Sequence, residues 1–232
     1  MGESIETLLV LAAANEVTAV HRAFEFDSSA DAPAGVPQRL TDSLWTMQSG
    51  IGKANAAART AAILATNPPK RVICLGIAGA LPGSGLEIGE AVLASRSVFA
   101  DEGVDTPEGF LDCRSMGFPL YQGDDGEGLP PDGAIRDLVL PLLDGERVVA
   151  TVSTCSGRDE LAERVRRRTG ASAECMEGAS VLLACLHAAV PAAEVRVISN
   201  TTGNRESQAW DIGRSLARLG EVARAFSDIE FR

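Results

Sequence analysis

No stretch of this 232-residue sequence is apolar for long enough to cross a bilayer, which takes about 20 such residues in a helix. Glu3 and Glu6 stand where an export signal would carry positive charge. Basic residues are in the minority, 21 Lys and Arg against 32 Asp and Glu, and the formal net charge is -11 with an isoelectric point near 4.7. That sign argues against DNA, RNA or an anionic membrane as partner, and says nothing against a small ligand. The five cysteines are odd in number and form no CxxC pair. Four of Cys74, Cys113, Cys155, Cys175 and Cys185 lie in apolar or small-residue runs. They read as buried free thiols, with neither a disulfide framework nor a metal centre. His21 and His187 have no partner pattern, and no internal repeat is present. The expectation is a soluble cytoplasmic protein with no membrane or nucleic-acid partner.

What is present is ordinary core material: 45% hydrophobic and 23% charged residues, at a length that buries a sizeable core. The run at 8–14 is continuously apolar, as a strand covered on both faces should be. Asn15 then reads as a helix N-cap, with Glu16 in the first turn of a helix to about Phe26. A loop at 28–37 leads to a strand at 44–49. Gly50-Ile51-Gly52-Lys53 opens an Ala-rich helix that stops before Pro68-Pro69. Strands follow at 71–76 and 90–99. The segment 101–131 is dense in Gly, Asp and Pro and aperiodic, which marks a lid, a binding loop or disorder. A helix at 134–143, a strand at 147–153 and an Arg-rich helix at 160–168, read as a solvated face, come next. A short extended run at 173–176 breaks at Gly178 into a small, apolar helix. The strand 195–199 and a helix from about Ser207, apolar at Ile212, Leu216, Leu219, Val222 and Phe226, complete the chain. Strand–helix alternation without a linker predicts one α/β domain over 1–232.

Four stretches carry chemistry: Ala14-Asn15-Glu16-Val17, Gly50-Ile51-Gly52-Lys53, Gly76-Ile77-Ala78-Gly79 and Met176-Glu177-Gly178. In that order and spacing they resemble the purine nucleoside phosphorylase/nucleosidase family, over nearly the whole chain. The resemblance implies a three-layer α/β/α sandwich around a mixed, partly barrel-like sheet, a homo-oligomer of at least two subunits, and a nucleoside substrate without a cofactor or metal. A narrower pattern consists of Ser199-Asn200-x-x-Gly203-x-Arg205 with a later Trp210, Glu174-x-Met176-Glu177-Gly178-Ala179, and Met116-Gly117-Phe118-Pro119. It is similar to the branch of that family that removes hypoxanthine from futalosine in menaquinone biosynthesis.

Cleaving an N-glycosidic bond builds positive charge on the sugar while the base leaves with its electrons. By the resemblance, Glu177 binds the ribose hydroxyls and helps stabilise that charge, with Cys175 and Met176 beside the sugar. The alternative for Glu177 is a surface acid capping the following helix. Glu16 fits a general base that activates water; the alternative is a common first-turn helix acid. Related phosphorylases place an Arg and a Ser for phosphate where this chain has Cys74 and Ile77, so water is the expected nucleophile. Asn200 stands where adenine-specific nucleosidases have Asp. A carboxamide both donates and accepts, which tilts the base toward a 6-oxopurine, unless Asn200 is merely a turn residue. The backbone of Ile77, Ala78 and Gly79, with that of Gly76, is expected to line the base pocket. The 151–157 stretch has no aromatic, which leaves Phe118 as the candidate to stack on the base. Arg205 pairs either a substrate carboxylate or the Asp101-Glu102 loop, and Trp210 reads as packing. A methylthioadenosine-type nucleosidase is disfavoured by Asn200, and a non-catalytic nucleoside-binding protein by Glu16.

Overall fold

The computed structural model describes residues 4–26 and 33–229; the N-terminal half of the expected loop at 28–37 lies outside them. Strand β1 (Thr7–Leu11) is buried at all five positions and pairs in parallel with β3 (Leu44–Gln48) on one side and β4 (Arg71–Ala80) on the other. A two-residue strand, β2 (Gln38–Arg39), closes that edge against β3. Beyond β4 the sheet rolls up. The strand β10 (Ala192–Thr201) pairs with β4 in parallel and with β5 (Ala91–Phe99) antiparallel. Then β5 pairs with β8 (Glu146–Thr151), β8 with β9 (Ala173–Cys175), and β9 returns to β4. Five strands thus close into a mixed barrel, and β1, β3 and β2 extend from it as a sheet.

Helices cover the two faces. The pair α1 (Ala14–Ala23) and α6 (Ile212–Ser227) packs together on one side, with Leu219, Val222 and Phe226 buried against Leu9, Leu75 and Val197. The pair α2 (Lys53–Thr66) and α5 (Gly178–His187) covers the other, with Ile63, Val181 and Cys185 against Leu8, Val10 and Val72. The three-layer mixed α/β architecture predicted from sequence is the one observed. Two further helices, α3 (Gly133–Val139) and α4 (Asp159–Thr169), flank the barrel.

Several elements differ from the sequence reading, some of them for a clear local reason. Ala13, not Asn15, holds the N-cap of α1, because the Glu16 carboxylate reaches back to the Ala13 N–H and does the capping itself. Helix α3 stops at Val139 and continues only as a 3-10 turn, since Pro141 has no N–H to donate. Helix α6 starts at Ile212, where the Asp211 carboxylate accepts the Arg214 N–H at 2.9 Å. The aperiodic 101–131 segment contains a hairpin, β6 (Gly103–Thr106) with β7 (Gly109–Asp112), of strands too short to show a period. Arg168 at the end of α4 holds that hairpin, lying 3.7 Å over the Phe110 ring and 3.3 Å from Asp105. The remaining α4 arginines lie on an exposed, ion-paired face as expected. All five cysteines are free, but only Cys74, Cys175 and Cys185 are buried.

Candidate active site

Glu177 lies two residues beyond the end of β9 and occupies the N-cap position of α5, yet its side chain caps nothing in that helix. It is 5% exposed, and its Oε1 accepts the N–H of Gly52, 125 residues away, at 3.0 Å. Its Oε2 lies 3.5 Å from Nη1 of Arg196. The helix-capping alternative is thereby removed: this carboxylate is directed across the molecule. Gly52 offers that N–H because its backbone turns through φ +92 ahead of α2, a conformation glycine adopts without strain.

Glu16 converges on the same place from the other face. It is 3% exposed; Oε2 accepts from the N–H groups of Ala12 and Ala13 at 3.0 and 2.8 Å, and Oε1 from Ile77 at 2.9 Å. It is therefore both a first-turn cap and a bridge from the end of β1 to β4. Burial raises its pKa above the usual 4.5, and the neighbouring Glu177 charge adds to that. The backbone donors and the Arg196 charge act in the opposite direction and do not cancel it.

Arg196 is the residue that sequence reasoning missed. It lies 1% exposed in the middle of β10, with Nε 2.8 Å from Glu194, Nη2 3.3 Å from the Cys74 sulfur and Nη1 3.5 Å from Glu177. Burial works against its charge, but the carboxylates of Glu194 and Glu177 beside it hold its pKa above the usual value. A signal existed: Glu194 and Arg196 alternate on one face of an otherwise apolar strand, and buried charges of that kind are paired. Gly76 makes room for the encounter. A Cβ there would lie 2.5 Å from Arg196 Nη1 and 2.9 Å from Glu16 Oε1. Gly76 thus borders the slot between acid and guanidinium, not the base pocket expected of it.

The base-recognition candidates sit one turn of the barrel away. Between Ile198 and Asn200 the register of β10 against β4 slips by one residue, and this bulge sets Asn200 opposite Gly79. Asn200 is 7% exposed, its Oδ1 2.7 Å from the Ser199 hydroxyl and its Nδ2 donating to the Thr201 carbonyl at 2.9 Å. Each end of the amide keeps one bonding position open. A Cβ at Gly79 would meet Nδ2 of Asn200 at 3.1 Å and Thr202 Cγ2 at 2.7 Å, so only glycine leaves that face clear. Ile77 and Ala78 precede it on β4, with Ala78 bonded through its carbonyl to Ser199.

Other expectations are corrected. Phe118 is 70% exposed, on a turn closed by its N–H to the Cys113 carbonyl. The Cys175 side chain is turned into the barrel, its thiol donating to the buried Glu194 carboxylate at 3.1 Å. Burial keeps the Cys175 thiol from ionising at any ordinary pH. Met176 is partly buried and packs against the cluster that includes Leu81, Val152, Ala162 and Val165. The Asp101-Glu102 loop is tied by Lys53 and by the Ser153 N–H, not by Arg205. Arg205 instead lies 4.9 Å over the Trp210 ring, and Trp210, 44% exposed, pairs its backbone with that of Asn200. Trp210 therefore stands beside Asn200, with Arg205 against it. His187 is exposed at the end of α5, and His21 is buried with its Nε2 2.9 Å from the Thr46 hydroxyl.

Comparison with known proteins places this arrangement. The family described as the Phosphorylase superfamily matches residues 40–228. The chain is 37% identical to the futalosine hydrolase of Acidothermus cellulolyticus over 93% of its own length and 88% of that protein's. It is 38% identical to the futalosine hydrolase of Thermus thermophilus over 77% and 78% of the two lengths. In fold it is similar to the native structure of the futalosine hydrolase of Helicobacter pylori, with TM-score 0.77 at 20% identity, covering 97% of this chain and 98% of that one. The chain belongs to the phosphorylase superfamily and, within it, to the futalosine hydrolase family.

Proposed function

We propose that the protein hydrolyses the N-glycosidic bond of futalosine, releasing hypoxanthine and dehypoxanthine futalosine, a step of menaquinone biosynthesis. The observation that carries this reading is the charge balance of the slot at Gly76. Arg196 is the buried cation there, and it is met by the carboxylates of Glu177 and Glu194 while Glu16 faces the same point. A phosphate dianion brought into that slot would meet carboxylates without an unspent cation. A water molecule would meet a base on one side and a donor on the other.

In this reading Glu16 Oε1 takes a proton from water as its oxygen bonds to C1′ of the ribose. Glu177 holds the ribose hydroxyls and opposes the positive charge that develops on the ring. The C1′–N9 bond breaks with its electron pair going to the base. The base takes a proton from solvent on its imidazole nitrogen. Asn200 accepts from that N–H and donates to the 6-oxo group. The backbone of Ile77, Ala78 and Gly79 lines the base, and Arg205 beside Trp210 is available to a carboxylate on the 5′ side. The whole chain works as one domain in a homo-oligomer; Ile51, 57% exposed one residue before Gly52, is apolar surface that a partner subunit would cover. Free thiols, three of them buried, suit a cytoplasmic location.

The purified protein is expected to release hypoxanthine from futalosine in phosphate-free buffer, at a rate that added phosphate does not raise. Strict dependence on phosphate, with a sugar phosphate as product, overturns the assignment. Glu177→Gln keeps the shape and loses the charge, so kcat should drop by roughly tenfold to a hundredfold, with a smaller change in KM. Turnover equal to the parent enzyme removes Glu177 from its role.

A further inference from the structure

Glu194 is fully buried beneath the site, and four elements converge on it. On β10 itself, Arg196 Nε donates to its Oε1 at 2.8 Å. From β9 the Cys175 thiol reaches the same oxygen at 3.1 Å. From β5 the Ser97 hydroxyl makes a close hydrogen bond to Oε2. At the start of α5, Gly178 gives way: a Cβ there would sit 1.9 Å from Oε1 and 2.1 Å from Oε2. The glycine that follows Glu177 is thus needed to admit the carboxylate beneath it. A charge wedged from four sides and engaging only one face of a guanidinium fixes the direction in which that guanidinium points.

We infer that Glu194 is a positioning residue, which binds the Nε side of Arg196 so that Nη1 stays aimed into the slot shared with Glu16 and Glu177. This rests on the hydrolytic reading above. Without that anchor Arg196 would be free to close on the two site carboxylates, the remaining anions within reach, since Cys74 on β4 and Cys175 on β9 hold their protons through burial. The slot would then lose its donor geometry. Glu16, faced by Arg196 and Glu177, would also lose a nearby negative charge and gain more of the guanidinium. Both changes favour its ionised form and make it a weaker base.

The test compares Glu194→Gln, Glu194→Asp and Ser97→Ala with the parent in futalosine hydrolysis across pH. Glu194→Gln should lower kcat by about tenfold or more with KM little changed. Its acid limb in kcat/KM should move down by about one pH unit. Glu194→Asp keeps the charge and should return the limb to its parental position. Ser97→Ala, which removes a donor without changing charge, should lower kcat modestly and leave the limb in place. A Gln variant that folds with parental kcat and limb overturns the inference. If the Gln variant does not fold, a Ser97→Ala variant with wholly parental kcat overturns it too. Absence of hydrolysis in the parent enzyme instead refutes the function itself, and the two failures are therefore distinct.

Discussion

Replacing Glu16 by Gln is expected to reduce kcat for hypoxanthine release by about 10²–10⁴-fold, the usual contribution of a positioned general base. Gln preserves the volume and one carbonyl acceptor, so KM should change little, and the loss should lie in the chemical step. The pH profile gives the sign. Burial raises the Glu16 pKa above 4.5, and a base works only when deprotonated. The parental kcat/KM should therefore fall as pH drops through a value above the ordinary carboxylate range, and be full above it. In the Gln variant that limb has no group to report and should vanish from the residual rate. A variant that retains its rate, or that keeps the same limb, removes Glu16 from water activation and shifts the burden to Arg196 and the sugar contacts. Hypoxanthine release monitored across pH, alongside thermal unfolding to confirm that both proteins are folded, measures all of this at once.

How far this could be seen in advance depends on whether a residue's meaning is local. Buried parallel strands such as β1 declare themselves as unbroken apolar runs, and the breaks at Gly50–Gly52 and Gly178 mark strand-to-helix junctions. Glu16, Glu177 and Asn200 sit at such junctions or bulges, where a side chain is aimed out of the sheet, and the motifs single out all three as candidates. The buried cation between Glu16 and Glu177 was not visible there. The Glu194–Arg196 pair reads on paper as two stray charges in a strand; only closure of the barrel between β10, β4 and β9 turns both inward against Cys74, Cys175 and Gly178. The same closure explains the errors. Cys175 alternates with its neighbours on β9, and its position in the barrel points the sulfur at Glu194. Phe118 and Arg205 lie on loops whose direction no periodicity records, so one ended in solvent and the other on Trp210. Gly76 and Gly79 look alike in the motif and serve different spaces, because β4 faces Glu16 at one and Asn200 at the other.

That last distinction bears on the substrate. Asn200→Asp is expected to change the ratio of kcat/KM for adenine over hypoxanthine nucleosides by about 10³-fold in favour of adenine, within the range seen when a buried polar site meets the wrong partner. The amide now offers one donor and one acceptor beyond its bonds to Ser199 and Thr201. A 6-oxopurine, protonated on its imidazole nitrogen, presents an acceptor and a donor, and both are satisfied. An ionised carboxylate has only acceptors. It would set an oxygen against the 6-oxo group in a site that is 7% exposed, while the amino group of adenine would give it the donor it needs. The Ser199 hydroxyl can donate to either side chain and Gly79 keeps the face open in both, but the bond to the Thr201 carbonyl is lost, so a modest drop in thermal stability should accompany the change. Competition between inosine and adenosine, followed by separate quantification of the two free bases, reads the ratio directly. Undiminished preference for hypoxanthine would mean that the base is chosen by the backbone of Ile77, Ala78 and Gly79, with Asn200 serving only to hold the bulge in β10.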